Sequence, residues 1–126
     1  MNHEFSHSIL LPISDAIIEL KKSLSVPIII SVGGTPGAGK SYFSRQLQQT
    51  LAKTGSYYSL CVSMDQFFLP KNQRLIHAKN IHPLCQYLGP AGTYSDKEIQ
   101  KFLRTCLTYQ ENFTYKLPIF CPTKQD

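Results

Sequence analysis

Apolar residues recur along this chain at two different periods. Val26-Pro27-Ile28-Ile29-Ile30-Ser31-Val32 is a short β-branched run ending at two glycines, the pattern of a buried strand. Tyr57 to Ser63, with Tyr57, Tyr58, Leu60, Cys61 and Val62, reads as a second strand. Between them Phe43, Leu47 and Leu51 repeat every four residues, which predicts a helix from Lys40 that stops where Lys53 is followed by Gly55. Before the first strand, Ser14 is placed to cap a helix with Asp15 in its first turn. Ile13, Ile17, Leu20 and Leu24 would share one face of it, and Lys21 and Lys22 stand near its end. Between Gln66 and Tyr94, Pro70, Pro83, Gly89, Pro90 and Gly92 break up a mixed stretch with a weak helical pattern from Arg74 to Lys79, expected to cover substrate. Ser95 and Glu98 then form a capping box ahead of Ile99, Phe102, Leu103, Cys106 and Leu107, an amphipathic stripe read as core. Tyr115 to Cys121, interrupted by Pro118, favours an edge strand or extended segment. Strand, helix and strand in that order predict a right-handed βαβ unit and an α/β fold.

The segment joining the first strand to the loop helix carries the clearest chemistry. Gly34-Thr35-Pro36-Gly37-Ala38-Gly39-Lys40-Ser41 fits GxxxxGK[ST], a loop whose glycines let successive N–H groups turn inward around phosphate oxygens. Lys40 is expected between the β- and γ-phosphates of a nucleoside triphosphate, and the Ser41 hydroxyl on the Mg²⁺ that bridges them. With Tyr42 next in line, residues 34–42 form the expected ATP-binding set, and the helix dipole favours the same anion. Asp65 stands just past the second strand's carboxyl end, the edge at which open α/β sheets bind ligands. It also suits a solvated turn carboxylate or a cap. Lys71, Arg74 and Lys79 read equally as a solvated basic face or as an anion clamp. His77 and His82 carry less signal, and His82 precedes Pro83 as a turn residue would.

Composition narrows the ligand class. The 126 residues suffice for one domain, and their net charge of +5 suits anionic ligands. The basic residues are scattered, so modest steering of phosphate is expected and a nucleic-acid partner is not. Cys61, Cys85, Cys106 and Cys121 offer no CxxC pair and no metal-ligand spacing with the histidines, which favours free thiols in a reducing compartment. No basic leader and no membrane-length apolar run stands in the sequence, so a cytoplasmic protein with no membrane partner is expected.

Several ordered segments carry a family resemblance. Leu11-Pro12, GGTPGAGKS at 33–41, Val62-Ser63-Met64-Asp65-Gln66-Phe67-Phe68-Leu69, Arg74-Leu75, His82-Pro83-Leu84, Gly89-Pro90-Ala91-Gly92-Thr93-Tyr94 and Leu117-Pro118-Ile119-Phe120 follow one another as in the D-glycerate 3-kinase family. That family belongs to the phosphoribulokinase, uridine kinase and pantothenate kinase superfamily, and the likeness covers nearly the whole chain. It implies a parallel sheet of the P-loop NTPase type with flanking helices. The implied activity is transfer of the γ-phosphoryl group of Mg-ATP to a hydroxyl of a small acceptor, glycerate before a uridine- or pantothenate-like one. Lys40 and Asp65 would be catalytic, Asp65 orienting or deprotonating the hydroxyl, and Ser41 and Asp65 would stand at the metal. The chain departs from the family pattern at Gln66 and Tyr94-Ser95, where the pattern is acidic or His-Asp. It departs also at Leu88, where the pattern has Arg, and at Cys121-Pro122, where it has Asp-Lys. Family members continue past this point into further strands, one of them acidic and lying between the first two. The resemblance therefore implies that 1–126 is a single partial domain, the N-terminal part of the fold, with open sheet edges for a partner chain or oligomer to cover. A non-catalytic ATP-binding remnant is the alternative it leaves open.

Overall fold

Helices organise the described residues. The computed structural model describes residues 6–55, 57–108, 115–118 and 120. They fall into two compact units, Met1–Val62 and Ser63–Asp126. The expected parallel sheet of a P-loop NTPase is not formed: no strand occurs among the described residues, and the one β-bridge joins Phe68 to Tyr94. An extended segment becomes a strand only when a second segment supplies its ladder hydrogen bonds. Residues 27–35 and 57–63 are both irregular, and neither takes a ladder partner among the described residues. Their side chains agree, since parallel strands bury both faces whereas Ile29, Ile30 and Leu60 are exposed and Tyr58 is 94 % exposed.

In the first unit a π-helical turn, Ser6–Leu10, leads into α1 (Leu11–Lys22), and α2 (Lys40–Gly55) packs on both. Leu10, Leu47 and Leu51 form the buried core, with Ile17, Ile18 and Phe43 packed against them. Burying a leucine contributes roughly 1.5–3 kcal/mol, so these few contacts hold the pair of helices. Ser14 does not cap α1, because the helix starts earlier, at Leu11, with Pro12 in its first turn. Ser14 is instead fully buried, its hydroxyl 3.0 Å from that of Thr54 across the helix pair. Past the other end Lys21 Nζ donates to Leu24 O and Val26 O, which ties down the chain as it leaves α1. Residues 57–61 lie along α2 by side-chain bonds in place of a ladder. Gln48 Nε2 donates to Ser59 O at 2.6 Å, and Cys61 Sγ to Ser44 O at 3.4 Å.

The second unit opens with a 3₁₀ turn, Met64–Phe67, continues into α3 (Lys71–Asn80) and a second 3₁₀ turn, Pro83–Gln86, and ends its described helices with α4 (Asp96–Leu107). Around the Phe68–Tyr94 bridge, Leu69 N donates to Thr93 O at 2.8 Å and Ser95 N to Phe67 O at 2.7 Å. The same bridge stacks the Phe68 and Tyr94 rings, centroids 4.4 Å apart, while buried Phe67 meets Phe102 of α4 at 5.5 Å. Ser95 caps α4 as the sequence suggests, its hydroxyl accepting from Glu98 N. Ile99, Phe102, Leu103 and Cys106 are only half-buried and Leu107 is exposed, so the stripe expected to be core is a partly wet face. Tyr115–Pro118 has no regular structure, and Ile119 and Cys121 lie outside the described residues. Among those described, no helix is long and apolar enough to cross a membrane.

Candidate functional site

The glycine loop takes its shape from its own residues. Ala38 N donates to Thr35 O at 3.2 Å, closing a four-residue turn with Pro36 second and Gly37 third. Proline's fixed φ suits the second position of a type II turn and the third needs a positive φ, which Gly37 supplies at +79°. Gly39, at φ +81°, then redirects the chain into α2, where Phe43 N donates to Gly39 O at 2.9 Å. These are conformations that a side chain would strain, so the spacing of the glycines is explained by the loop itself.

Lys40, the first residue of α2, folds back across the loop. Its Nζ donates to Gly34 O at 2.9 Å and Thr35 O at 2.8 Å, which uses two of its three donors. The first turn of α2 carries no acidic side chain, so its positive end has no carboxylate of its own nearby in sequence. Beside it lies a hollow of about 390 Å³ lined by Val32, Gly33, Ala38, Gly39, Lys40, Tyr42 and Phe43. That size falls within the range of small-molecule sites. Thr35, Pro36 and Ser41 are exposed on the same loop and helix start. All of residues 34–42 therefore sit together in the first unit.

Asp65 belongs to the second unit. It is exposed in the Met64–Phe67 turn, and its N–H is accepted by the Ser63 hydroxyl at 3.2 Å, so Ser63 is the capping residue and the Asp65 carboxylate is not. Its charge reaches Tyr94, whose phenol is pushed above its ordinary value first by burial and then by Asp65. No group of three or more His, Cys, Asp or Glu able to hold a metal occurs among the described residues.

Arg74 is where the structure departs most from the sequence. It is neither a solvated cation nor part of a basic face: it is 2 % exposed, while Leu75 and Ile76 beside it on α3 are 42 % and 55 % exposed. His77 shares the inward side and its Nδ1 stands 2.7 Å from Gly92 O, so this nitrogen carries the proton and donates. His82 accepts from Leu84 N at 3.2 Å and serves the turn that follows. Cys61, Cys85 and Cys106 are free thiols, and Cys121 lies outside the described residues. Compared with known proteins, the chain is matched by no family model, no curated protein and no solved structure.

Proposed function

We propose that residues 34–42 hold the phosphates of a nucleoside triphosphate, ATP with Mg²⁺, and that the protein passes the γ-phosphoryl group to a hydroxyl of a small acceptor such as glycerate. The observation that carries the reading is the loop: a Pro-Gly turn and a left-handed Gly39 lead into the start of α2, with the Lys40 ammonium drawn across them. Such a loop offers inward N–H groups, a helix dipole and a fixed cation to one anion. Phosphoryl transfer asks little covalent chemistry of a protein beyond charge neutralisation and positioning. In this reading Lys40 neutralises charge on the β- and γ-phosphates and Ser41 holds the metal. The resemblance to D-glycerate 3-kinases supports the choice of acceptor, and the chain's modest positive charge supports an anionic ligand class.

A second reading, a nucleotide binder without transfer activity, is favoured by one observation: the sheet that would align donor and acceptor is not formed among the described residues. Calorimetry with Mg-ATP, followed by an ADP-release assay with glycerate, tests both. Charge-assisted hydrogen bonds contribute about 1.5–3 kcal/mol, so Lys40→Ala should weaken Mg-ATP binding by about 10- to 100-fold. ATP bound without acceptor-dependent ADP selects the second reading, and no binding heat from folded protein ends both.

A further inference from the structure

The sequence scatters its cations, but α4 gathers three of them. At 3.6 residues per turn each residue advances by about 100°, so Lys97, Gln100, Lys101, Arg104, Thr105 and Thr108 fall on one side of the helix. All are exposed except Thr105, which is half-buried, and a hollow of about 600 Å³ lined by these six lies against that side. The opposite side carries Ile99, Phe102, Leu103 and Cys106 and faces its own unit, where the Phe102 ring centroid stands 5.5 Å from that of Phe67 and 5.6 Å from that of Tyr115. The helix is thus held by its apolar side and presents the basic one to solvent.

None of the three cations is occupied. Among the described residues Lys97, Lys101 and Arg104 make no ion pair and no side-chain hydrogen bond. The carboxylates of α4, Asp96 and Glu98, belong to its first turn and stand about 100° to either side of Lys97, so the row itself holds no acid. Like charges three and four residues apart repel one another, and the row therefore costs α4 stability that a bound anion would return.

What the face lacks decides the kind of anion. It has no aromatic ring on which an unpaired base could stack, so a single-stranded nucleic acid gains only charge from it. It has no large apolar side chain to anchor a protein partner or to enter a lipid surface. One small anion would leave part of the row unmatched, because the cations span about 10 Å of helix axis. Duplex DNA repeats its phosphates about every 3.4 Å along each strand, and its major groove, about 12 Å wide, admits a helix. The base edges in that groove also accept from lysine, arginine, glutamine and threonine, whereas the narrow major groove of duplex RNA shuts such side chains out.

We infer that the outer side of α4 binds duplex DNA, with Lys97, Lys101 and Arg104 neutralising its phosphates and Gln100, Thr105 and Thr108 hydrogen-bonding between them. The glycine loop belongs to the other unit, and the inference does not rest on the nucleotide reading.

Fluorescence anisotropy of a labelled duplex of about two helical turns, titrated with the full chain without nucleotide or magnesium, tests it. With three phosphates neutralised, affinity should fall about 40-fold between about 50 and 200 mM salt, and only about 12-fold in Lys101→Ala, which gives up one phosphate contact. Lys101 is exposed and bonds to nothing among the described residues, so its loss is read at the surface, and Lys101→Arg should restore the steeper fall. Lys53→Ala removes the same charge from the end of α2 and should leave the fall at about 40-fold, which separates this face from general attraction by net charge. No binding at the lower salt overturns the inference. So does equal affinity for a single strand of the same length or for polyglutamate, or an effect of Lys101→Ala no larger than that of Lys53→Ala.

Discussion

Alanine at Gly39 should destabilise the first unit where alanine at Gly33 does not. A Cβ added at either position meets nothing within 4 Å, so neither substitution introduces a clash. The two differ in backbone: Gly39 sits at φ +81°, and Gly33 is not among the glycines with positive φ. Each alanine stiffens the unfolded chain, which by itself stabilises by about 0.4–1 kcal/mol where the native backbone suits alanine. That contribution is common to both variants and cancels between them. What survives is the cost of left-handed backbone for a residue with a Cβ, about 1–2 kcal/mol. In urea titrations followed by circular dichroism, Gly39→Ala should therefore lie about 1–2 kcal/mol below Gly33→Ala with an unchanged slope against urea. Mg-ATP affinity should fall in Gly39→Ala as well, because a loop that relaxes to relieve the strain turns its N–H groups away. Equal stability of the two variants would refute the reasoning, since it would mean that the loop in solution does not hold Gly39 left-handed.

Three other perturbations probe the rest of the chain. Leu47→Ala empties part of the small core beneath α2 and should cost about 2–5 kcal/mol, enough to leave the first unit largely unfolded in a melt followed by circular dichroism. Ser95→Ala removes the hydroxyl that accepts from Glu98 N, and a loss of about 1 kcal/mol is expected for a lost N-cap, read in the same melt. With a disulfide reagent and peptide mapping by mass, exposed Cys61 should be modified first and buried Cys85 last, and equal rates at the two would contradict their burial. Burial pushes the Cys106 thiol above its ordinary value, so its labelling should rise with pH later than that of an ordinary thiol. The same shift means that the folded chain holds this proton more tightly than the unfolded one. Its contribution to stability is complete below the unfolded thiol's range and is lost as pH rises through the folded value.

Helices α2 and α4 were legible because the signals that make them are local. Phe43, Leu47 and Leu51 repeat at helical spacing, and Ser95 stands ready to cap, whatever the rest of the chain does. The two strands were not legible in the same sense, since a β-branched run states a preference and a ladder partner decides the outcome. Ile28 to Val32 finds no such partner among the described residues, and residues 57–61 attach to α2 through Gln48 and Cys61 instead. Ser14 shows how a local signal can be overridden: it has the chemistry of a cap, yet Thr54, forty residues away, offers its hydroxyl a partner inside the helix pair. Arg74 was illegible for a related reason. Leu75 and Ile76, the apolar neighbours of Arg74 on α3, are exposed, while what lies against Arg74 is carbonyl oxygens, and only donors can meet them.

The glycine loop is the part of the site that survives the loss of the expected sheet, and the reason is physical. Its turn is closed by Ala38 N on Thr35 O, its direction is set at Gly37 and Gly39, and its cation is tied to Gly34 O and Thr35 O, all within seven residues. None of these bonds needs a neighbouring strand. In the proposed reading anion binding is therefore separable from transfer, for transfer requires an acceptor hydroxyl held in line with the phosphorus to within a fraction of an ångström. A loop alone cannot impose that alignment.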